Sequence, residues 1–360
     1  MKNKSVSAIV ASALLAVSGE SSCSSSVPTF LARPRILTVA FAGFGGGGAK
    51  LKGKSGKSKK SKKPKRDGGS KVGGGGGPNL LTPEGRMAHI QSRILAADLS
   101  PMSKLSLLPG KTPEDPVSLD IDPNAVCVVD NFLGEDFVAS MRQEAESLLP
   151  TMVPSLSTRW DEETQSVIAY EKHQVLSMQI EGGAVGYEKS PRLVEYIVTL
   201  TQHLTNQLNR QLPEIYHLNS GEQTNKLAVC LGDGSKYDKH IDNGGGEDRR
   251  KLTALLYLQP PDWHDSTPSY PNESEATDER GGYFRAYDVP EKGKVTSIAP
   301  RGDRLLLFWS DSLVHDVSPS FTPNGDKDRR WALTVWLTVK EGGVIRIDDA
   351  DIEGRHFGTG

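Results

Sequence analysis

The chain has 360 residues, 36% of them hydrophobic, with 43 Lys and Arg against 45 Asp and Glu and a formal net charge of −2. That balance excludes a uniformly basic nucleic-acid binder and leaves room for one large folded domain or two small ones. The charge is spread unevenly, because residues 50–71 hold eleven Lys or Arg and a single acid, Asp67, so a basic tract is joined to an acidic body.

The chain opens MKNKSVSAIVASALLAVSGESS, with Lys2 and Lys4 ahead of an apolar run from Val6 to Val17 and small residues around Ala16-Val17-Ser18. This is the build of a cleavable signal peptide over 1–20, and the run is too short for a transmembrane anchor. Residues 21–79 are rich in Gly, Ser and Lys and are expected to be disordered, since they bury too little apolar area to offset the entropy of ordering them. Their expected contacts are acidic surfaces, through charge alone and with no specific nucleic-acid partner. Gly56-Lys57-Ser58 ends like a phosphate-binding loop, yet the glycine required five positions earlier is Leu51. A signal peptide followed by AFAGF at 40–44 and a basic, Ser-rich stretch resembles a bipartite plastid address. The expected destination is therefore the secretory pathway or a plastid.

Residues 80–121 are expected to form a linker, with a short helix over 80–95 after Thr82-Pro83 and then an extended Pro-rich piece. The folded body is expected over 122–345 and a tail over 346–360. AVCVVDNFL (125–133) reads as a strand, FVASMRQEAESLL as an amphipathic helix ended by Pro150, and Leu193–Leu212 as a second helix. Six short runs rich in β-formers follow, at 227–231, 252–258, 281–287, 295–300, 304–309 and 331–339. Two helices followed by many strands argue for an α+β domain whose helices buttress an antiparallel sandwich or barrel. Cys23, Cys127 and Cys230 make no even-numbered framework, and the last two lie in apolar runs, as free core thiols do.

The window Lys236–Lys251, KYDKHIDNGGGEDRRK, holds His240-Ile241-Asp242. Alone, a His-x-Asp triplet fits a turn acid beside a surface histidine as well as it fits a metal pair. Its place between two expected strands would let both side chains face one cavity, and His315, in DSLVHDV at a second strand-to-strand corner, supplies a third donor. Two imidazoles and one carboxylate leave three coordination positions open, the arrangement that suits non-haem Fe(II). A structural zinc site would want four ligands, mostly thiolates, and a calcium loop fails at His240. The other histidines, 89, 173, 203, 217, 264 and 356, lack a neighbouring carboxylate at a strand end and read as structural or surface residues.

Four stretches, AVCVVDNFLG (125–134), GDGSKYDKHIDN (232–243), GDRLLLFWSD (302–311) and RRWALTVWL (329–337), occur in an order that resembles the Fe(II)/2-oxoglutarate-dependent prolyl hydroxylases, hypoxia-inducible factor type. The resemblance implies a double-stranded β-helix (jelly-roll) core buttressed by N-terminal helices. It implies iron ligation by His240, Asp242 and His315, with Arg330 pairing the far carboxylate of 2-oxoglutarate as a guanidinium fork. Tyr257 would join that pairing and Thr334 would face the same pocket, while Tyr237 would line the wall near the substrate and Trp336 would stand behind the iron ligands. The implied reaction hydroxylates a prolyl residue in a protein or peptide, consumes O2 and 2-oxoglutarate, and releases succinate and CO2. Ascorbate would keep the iron reduced. A carboxylate at 242, rather than a small residue that would admit halide, implies hydroxylation and not halogenation.

The sequence departs from the family in places. Cys230 stands where the hypoxia-type enzymes have a tyrosine, and about six extra residues, TPNGDKDRR in large part, separate His315 from Arg330. The insertion leaves Arg329 and Lys327 as outside candidates for the carboxylate partner. A long acidic loop, 262–279, borders the expected substrate approach. Two other readings stand beside prolyl hydroxylation: an oxygenase acting on another residue or a small molecule, and an inactive barrel used as a binding module.

Overall fold

The computed structural model describes residues 78–108, 118–161, 163–245, 247–260, 263, 279–287 and 295–343. The expected signal peptide, the cationic segment to residue 77, nearly all of the acidic loop and the C-terminal tail lie outside the described residues.

The first element, α1 (Pro83–Ala96), starts where Thr82 caps it by accepting a 3.1 Å bond from the Gly85 amide and Pro83 presets the first turn. Its buried residues, Arg86, Ile90 and Ile94, fall four apart on one face. The Arg86 guanidinium donates 2.7 Å bonds to both carboxylate oxygens of Glu195, which is itself buried. The helix expected in a linker is thereby part of the packed body, and the apolar Ile90 and Ile94 carry its side of the core.

A two-stranded sheet of β1 (Leu105–Leu108) and β2 (Ser118–Ile121) precedes β3 (Val126–Val129) and α2 (Glu135–Leu148). The strands β4 (Val153–Asp161) and β5 (Ser166–Met178) form a hairpin, followed by α3 (Gly183–Lys189) and α4 (Pro191–Leu208). On α4 the buried Leu193, Tyr196, Ile197, Leu200, Leu204 and Leu208 make a stripe at helical spacing. Arg192 at its start pairs with Glu144 of α2 at 3.0 Å, tying the two helices together.

The remaining strands are β6 (Leu218–Cys230), β7 (Ser235–His240), β8 (Arg250–Tyr257), β9 (Phe284–Tyr287), β10 (Val295–Ile298), β11 (Leu305–Trp309), β12 (Val314–Ser320) and β13 (Arg330–Val339). They build a seven-stranded sheet in the order β3-β11-β8-β13-β6-β5-β4 and a four-stranded sheet in the order β10-β9-β12-β7. Every pairing is antiparallel. Along the chain, β6, β8, β11 and β13 lie in the large sheet, while β7, the β9–β10 pair and β12 between them lie in the small one, so the chain crosses repeatedly between the two sheets.

Strand alternation divides the apolar residues between two cores. On β11, Leu305, Leu307 and Trp309 join the core shared with the helices, whereas Leu306 and Phe308 join a second cluster with Tyr257, Phe284, Ile298, Leu313 and Ala332. The same rule sends Trp331, Leu333, Val335 and Leu337 of β13 to the helix side. Such strands are buried on both faces and therefore read in sequence as unbroken apolar runs. Cys127 and Cys230 are free and buried, and burial pushes the Cys127 thiol up to about 12.

Candidate metal and cosubstrate site

Pairing between β7 and β12 sets His240 directly opposite His315. Their ring centroids are 4.3 Å apart, and Asp242, two residues past His240, turns back toward both. His315, expected at a corner, is instead the second residue of β12. The polar sequence VHDVSPS hides that strand, because on the small sheet it is the backbone ladder rather than an apolar alternation that fixes it.

Second contacts orient each donor. The Nδ1–H of His240 donates to the Asp238 carbonyl at 2.7 Å and that of His315 to the Leu313 carbonyl at 3.1 Å, which leaves both Nε2 lone pairs facing inward. Those Nε2 atoms lie 3.5 Å and 3.9 Å from Asp242 Oδ1. The other oxygen, Oδ2, accepts 2.7 Å from the Thr253 hydroxyl and 2.9 Å from the Trp336 indole N–H. One carboxylate oxygen is thus anchored and the other is free to bind.

Burial alone would raise the Asp242 carboxyl, but hydrogen bonds and the adjacent imidazoles hold it well below the usual range. Burial, reinforced by His240, pushes His315 down to about 4, so its imidazole is neutral near pH 7. Phe284 and Phe308 pack on that ring at centroid distances of 5.0 and 4.8 Å and fix its plane. The three donor atoms lie within 4.8 Å of one another. Two imidazoles and an ionised carboxylate on one side of a pocket fit a divalent transition metal with positions left for other ligands.

The pocket extends from this triad to Arg330, which is 3% exposed. Its guanidinium donates 2.9 Å to the Gly282 carbonyl and 3.2 Å to the Tyr257 hydroxyl. Gly282 has φ +73°, and a Cβ there would come within 2.8 Å of Arg330 Cδ, so the close backbone approach requires glycine. Tyr257 is fully buried and reaches the pocket through this bond, while Thr334 lines the wall on the same face of β13 as Arg330 and Trp336. A buried, positively charged fork at the far end suits the distal carboxylate of a dicarboxylate cosubstrate. Arg329 pairs with Asp326 at 2.7 Å and Lys327 is exposed, so neither outside candidate enters the pocket.

Tyr237 also lines the pocket, and burial raises its phenol. All eight residues singled out in the sequence thus come together around one cavity. Sequence reasoning missed Thr253 and Lys226. Thr253 sits two residues from Leu255 and four from Tyr257 on β8, so counting back by twos from Tyr257 would have found it. Lys226 lies opposite Thr334 across the β6–β13 ladder and lines the pocket as well. Nothing in the run NKLAVC distinguishes that lysine from a solvated one.

The sequence profile of the 2OG-Fe(II) oxygenase superfamily matches residues 225–338. Over 219 residues, 60% of this chain and 47% of the relative, the sequence is 30% identical to Egl nine homolog 1 of Mus musculus. It is 28% identical over 258 residues to the hypoxia-inducible factor prolyl hydroxylase of Caenorhabditis elegans, covering 70% of this chain and 31% of that one. A solved prolyl hydroxylase from Trichoplax adhaerens, in complex with a hypoxia inducible factor oxygen degradation domain peptide fragment, aligns with a TM-score of 0.44 at 26% identity, over 66% of this chain and 88% of that one. The chain spans about half the length of the first curated relatives it matches. Residues 225–338, and with them His240, Asp242, His315 and Arg330, are the part of the chain that matches this superfamily's profile.

Proposed function

We propose that this chain is an Fe(II)- and 2-oxoglutarate-dependent dioxygenase that hydroxylates a prolyl residue in a protein or peptide. The observation that carries the reading is the pairing of an open three-donor cluster with a buried Arg330–Tyr257 fork across one pocket. Likeness to relatives named prolyl hydroxylases supports the choice of substrate residue. The proposed scaffold is a double-stranded β-helix, a reading supported by the two antiparallel sheets and the chain's repeated crossing between them.

When bound, the iron and 2-oxoglutarate supply the oxidising chemistry that yields succinate, CO2 and the hydroxylated product. The protein's residues bind and orient. His240, Asp242 and His315 would hold the metal from one side, with Thr253 and Trp336 fixing the carboxylate. Arg330 and the Tyr257 hydroxyl would hold the distal carboxylate of 2-oxoglutarate, and Thr334 would line its bed. Leu255, Phe284 and Phe308 make the inner wall apolar and exclude water from the reacting centre. Tyr237 and Trp336 would flank the proline, and ascorbate would serve as external reductant.

The test is succinate release from 2-oxoglutarate with Fe(II) and a panel of proline peptides, read beside peptide mass. The expected outcome is release coupled to a 16-dalton gain on proline, the mass of one oxygen atom, and abolished by His315→Ala. Release without any proline product would move the substrate to another residue, and no release with no Fe(II) affinity would leave only a binding module.

A further inference from the structure

Two lysines stand at the wall beside Tyr237 and Trp336, and the chemistry above uses neither. Lys226, on β6, places its ammonium 5.5 Å from the Tyr237 ring centroid and 5.6 Å from that of Trp336. Lys172, on β5, places its own 4.6 Å from the same Tyr237 ring. Both side chains are half-buried. No carboxylate among the described residues lies within ion-pair distance of either ammonium. The nearby Asp238 is taken by Lys236 and by the Tyr170 hydroxyl, and Asp242 by Thr253, Trp336 and the two imidazoles. Arg250, the other cation over Trp336, is paired with Asp248.

Two like charges sharing one aromatic wall repel each other, and ring faces offset only part of that repulsion and of the lost hydration. The mutual effect is visible in Lys172, where burial and then Lys226 bring the ammonium down to about 8. The charges of a divalent metal, Asp242, Arg330 and a 2-oxoglutarate dianion cancel, so cosubstrate binding leaves both lysines unmatched. Lys226 sits opposite Thr334, four residues along β13 from the fork at Arg330, and Lys172 lies over the Tyr237 ring.

We propose that Lys226 and Lys172 form a subsite for an anionic side chain of the substrate, a carboxylate near the target proline, so that this enzyme selects acidic peptides. The proposal rests on the prolyl hydroxylase reading for its proline and on the two ammoniums for its acid. Lys226, inside the pocket, contacts the carboxylate, and Lys172 supports it from the outer side of Tyr237.

Binding without metal keeps the two readings apart. Labelled proline peptides, carrying Glu or Gln at one position on either side of the proline, are titrated into the metal-free full chain and into Lys226→Met and Lys172→Gln. At one position the Glu peptide is expected to bind wild type at least tenfold tighter than its Gln partner, and Lys226→Met is expected to erase that preference while Lys172→Gln reduces it. Equal binding of every Glu and Gln pair, including no binding at all, overturns the proposal. So does a preference that survives in the double variant, or a tenfold rise in the 2-oxoglutarate KM of Lys226→Met with the peptide preference intact. If a preferred peptide binds and no proline is hydroxylated, the proline reading fails and the subsite stands.

Discussion

Thr253→Val tests the site through a residue that touches no substrate. The change keeps the branched shape on β8 and removes only the hydroxyl that donates 2.7 Å to Asp242 Oδ2. The Trp336 indole still donates to that oxygen at 2.9 Å, so Asp242 loses one of two anchors and its free oxygen gains rotational play about the remaining one. Partners of this kind contribute about 10–100-fold in metal affinity, roughly 1.4–2.7 kcal/mol. Because one anchor survives, the lower end is expected, about 10- to 30-fold. Calorimetric titration of Mn(II) as an air-stable surrogate reads the affinity directly, and a denaturation curve checks that the variant folds, since the Ser310 hydroxyl also loses its 2.8 Å partner. Trp336→Phe, which removes the other donor, should weaken binding comparably. The double variant should lose more than the two single losses added together, since it leaves the oxygen with no anchor. A folded Thr253→Val chain that binds the metal within twofold of wild type would refute the assignment of Asp242 Oδ1 as the donor.

Arg330→Lys keeps the charge but cannot donate to the Gly282 carbonyl, the Tyr257 hydroxyl and a carboxylate together, so the KM for 2-oxoglutarate should rise about 10–100-fold in steady-state succinate release. Glu195→Gln strands the Arg86 guanidinium in a buried place and should cost about 3–5 kcal/mol in urea unfolding, whereas no loss would detach α1 from the core. Asp303, where burial outweighs two backbone amide bonds, is raised to about 6 against an unfolded value of roughly 3.9. The folded state therefore binds the extra proton between those values, and this residue's contribution to stability grows as pH falls from 6 toward 4 and is lost as pH rises through 6. Relative to Asp303→Asn, which tolerates the φ of +60° there, wild type should gain on the order of 2–3 kcal/mol between pH 7 and pH 4. A flat difference in urea midpoints across that range would contradict it.

The long apolar strands and both main helices were legible because burial on two faces writes itself into the residues. RLLLFW and WALTVWLTV could hardly be anything but core strands, and the α4 stripe repeats at helical spacing. The short strands that carry the ligands were not legible in the same way. The burial of β7 reads as one buried residue followed by mixed exposure, and its KYDKH sequence looks like a turn. The β4–β5 hairpin was missed for a related reason. Its polar run Glu171–Gln174 interrupts any period of two, and Gln174 takes a positive φ of 54° within the strand. The triad itself was found through spacing and resemblance, but the register that makes it a site, His240 against His315, is a long-range pairing that no local pattern encodes.

Site and core are coupled through β13. Its even-numbered residues from Arg330 to Trp336 face the pocket and its odd-numbered ones from Trp331 to Leu337 face the helices, so a slip of one residue would bury the fork in the helix core and expose an indole to the metal. The extra residues before β13 therefore had to be absorbed without moving its start. They form a 3-10 turn at Gly325–Asp328, held by two bonds from Asn324 to the buried Asp328 carboxylate and by Arg142 of α2 donating 3.1 Å to the Lys327 carbonyl. The insertion is thus closed on itself and pinned to a helix ahead of the first ladder pair, Arg330 with Cys230. Cys230 thereby stands beside the fork, where the resemblance calls for a tyrosine. A buried thiol in place of a phenol leaves the Tyr257 hydroxyl as the phenol that accepts from Arg330 among the described residues, so cosubstrate affinity should depend on Tyr257 more steeply than on any other neutral side chain of the pocket.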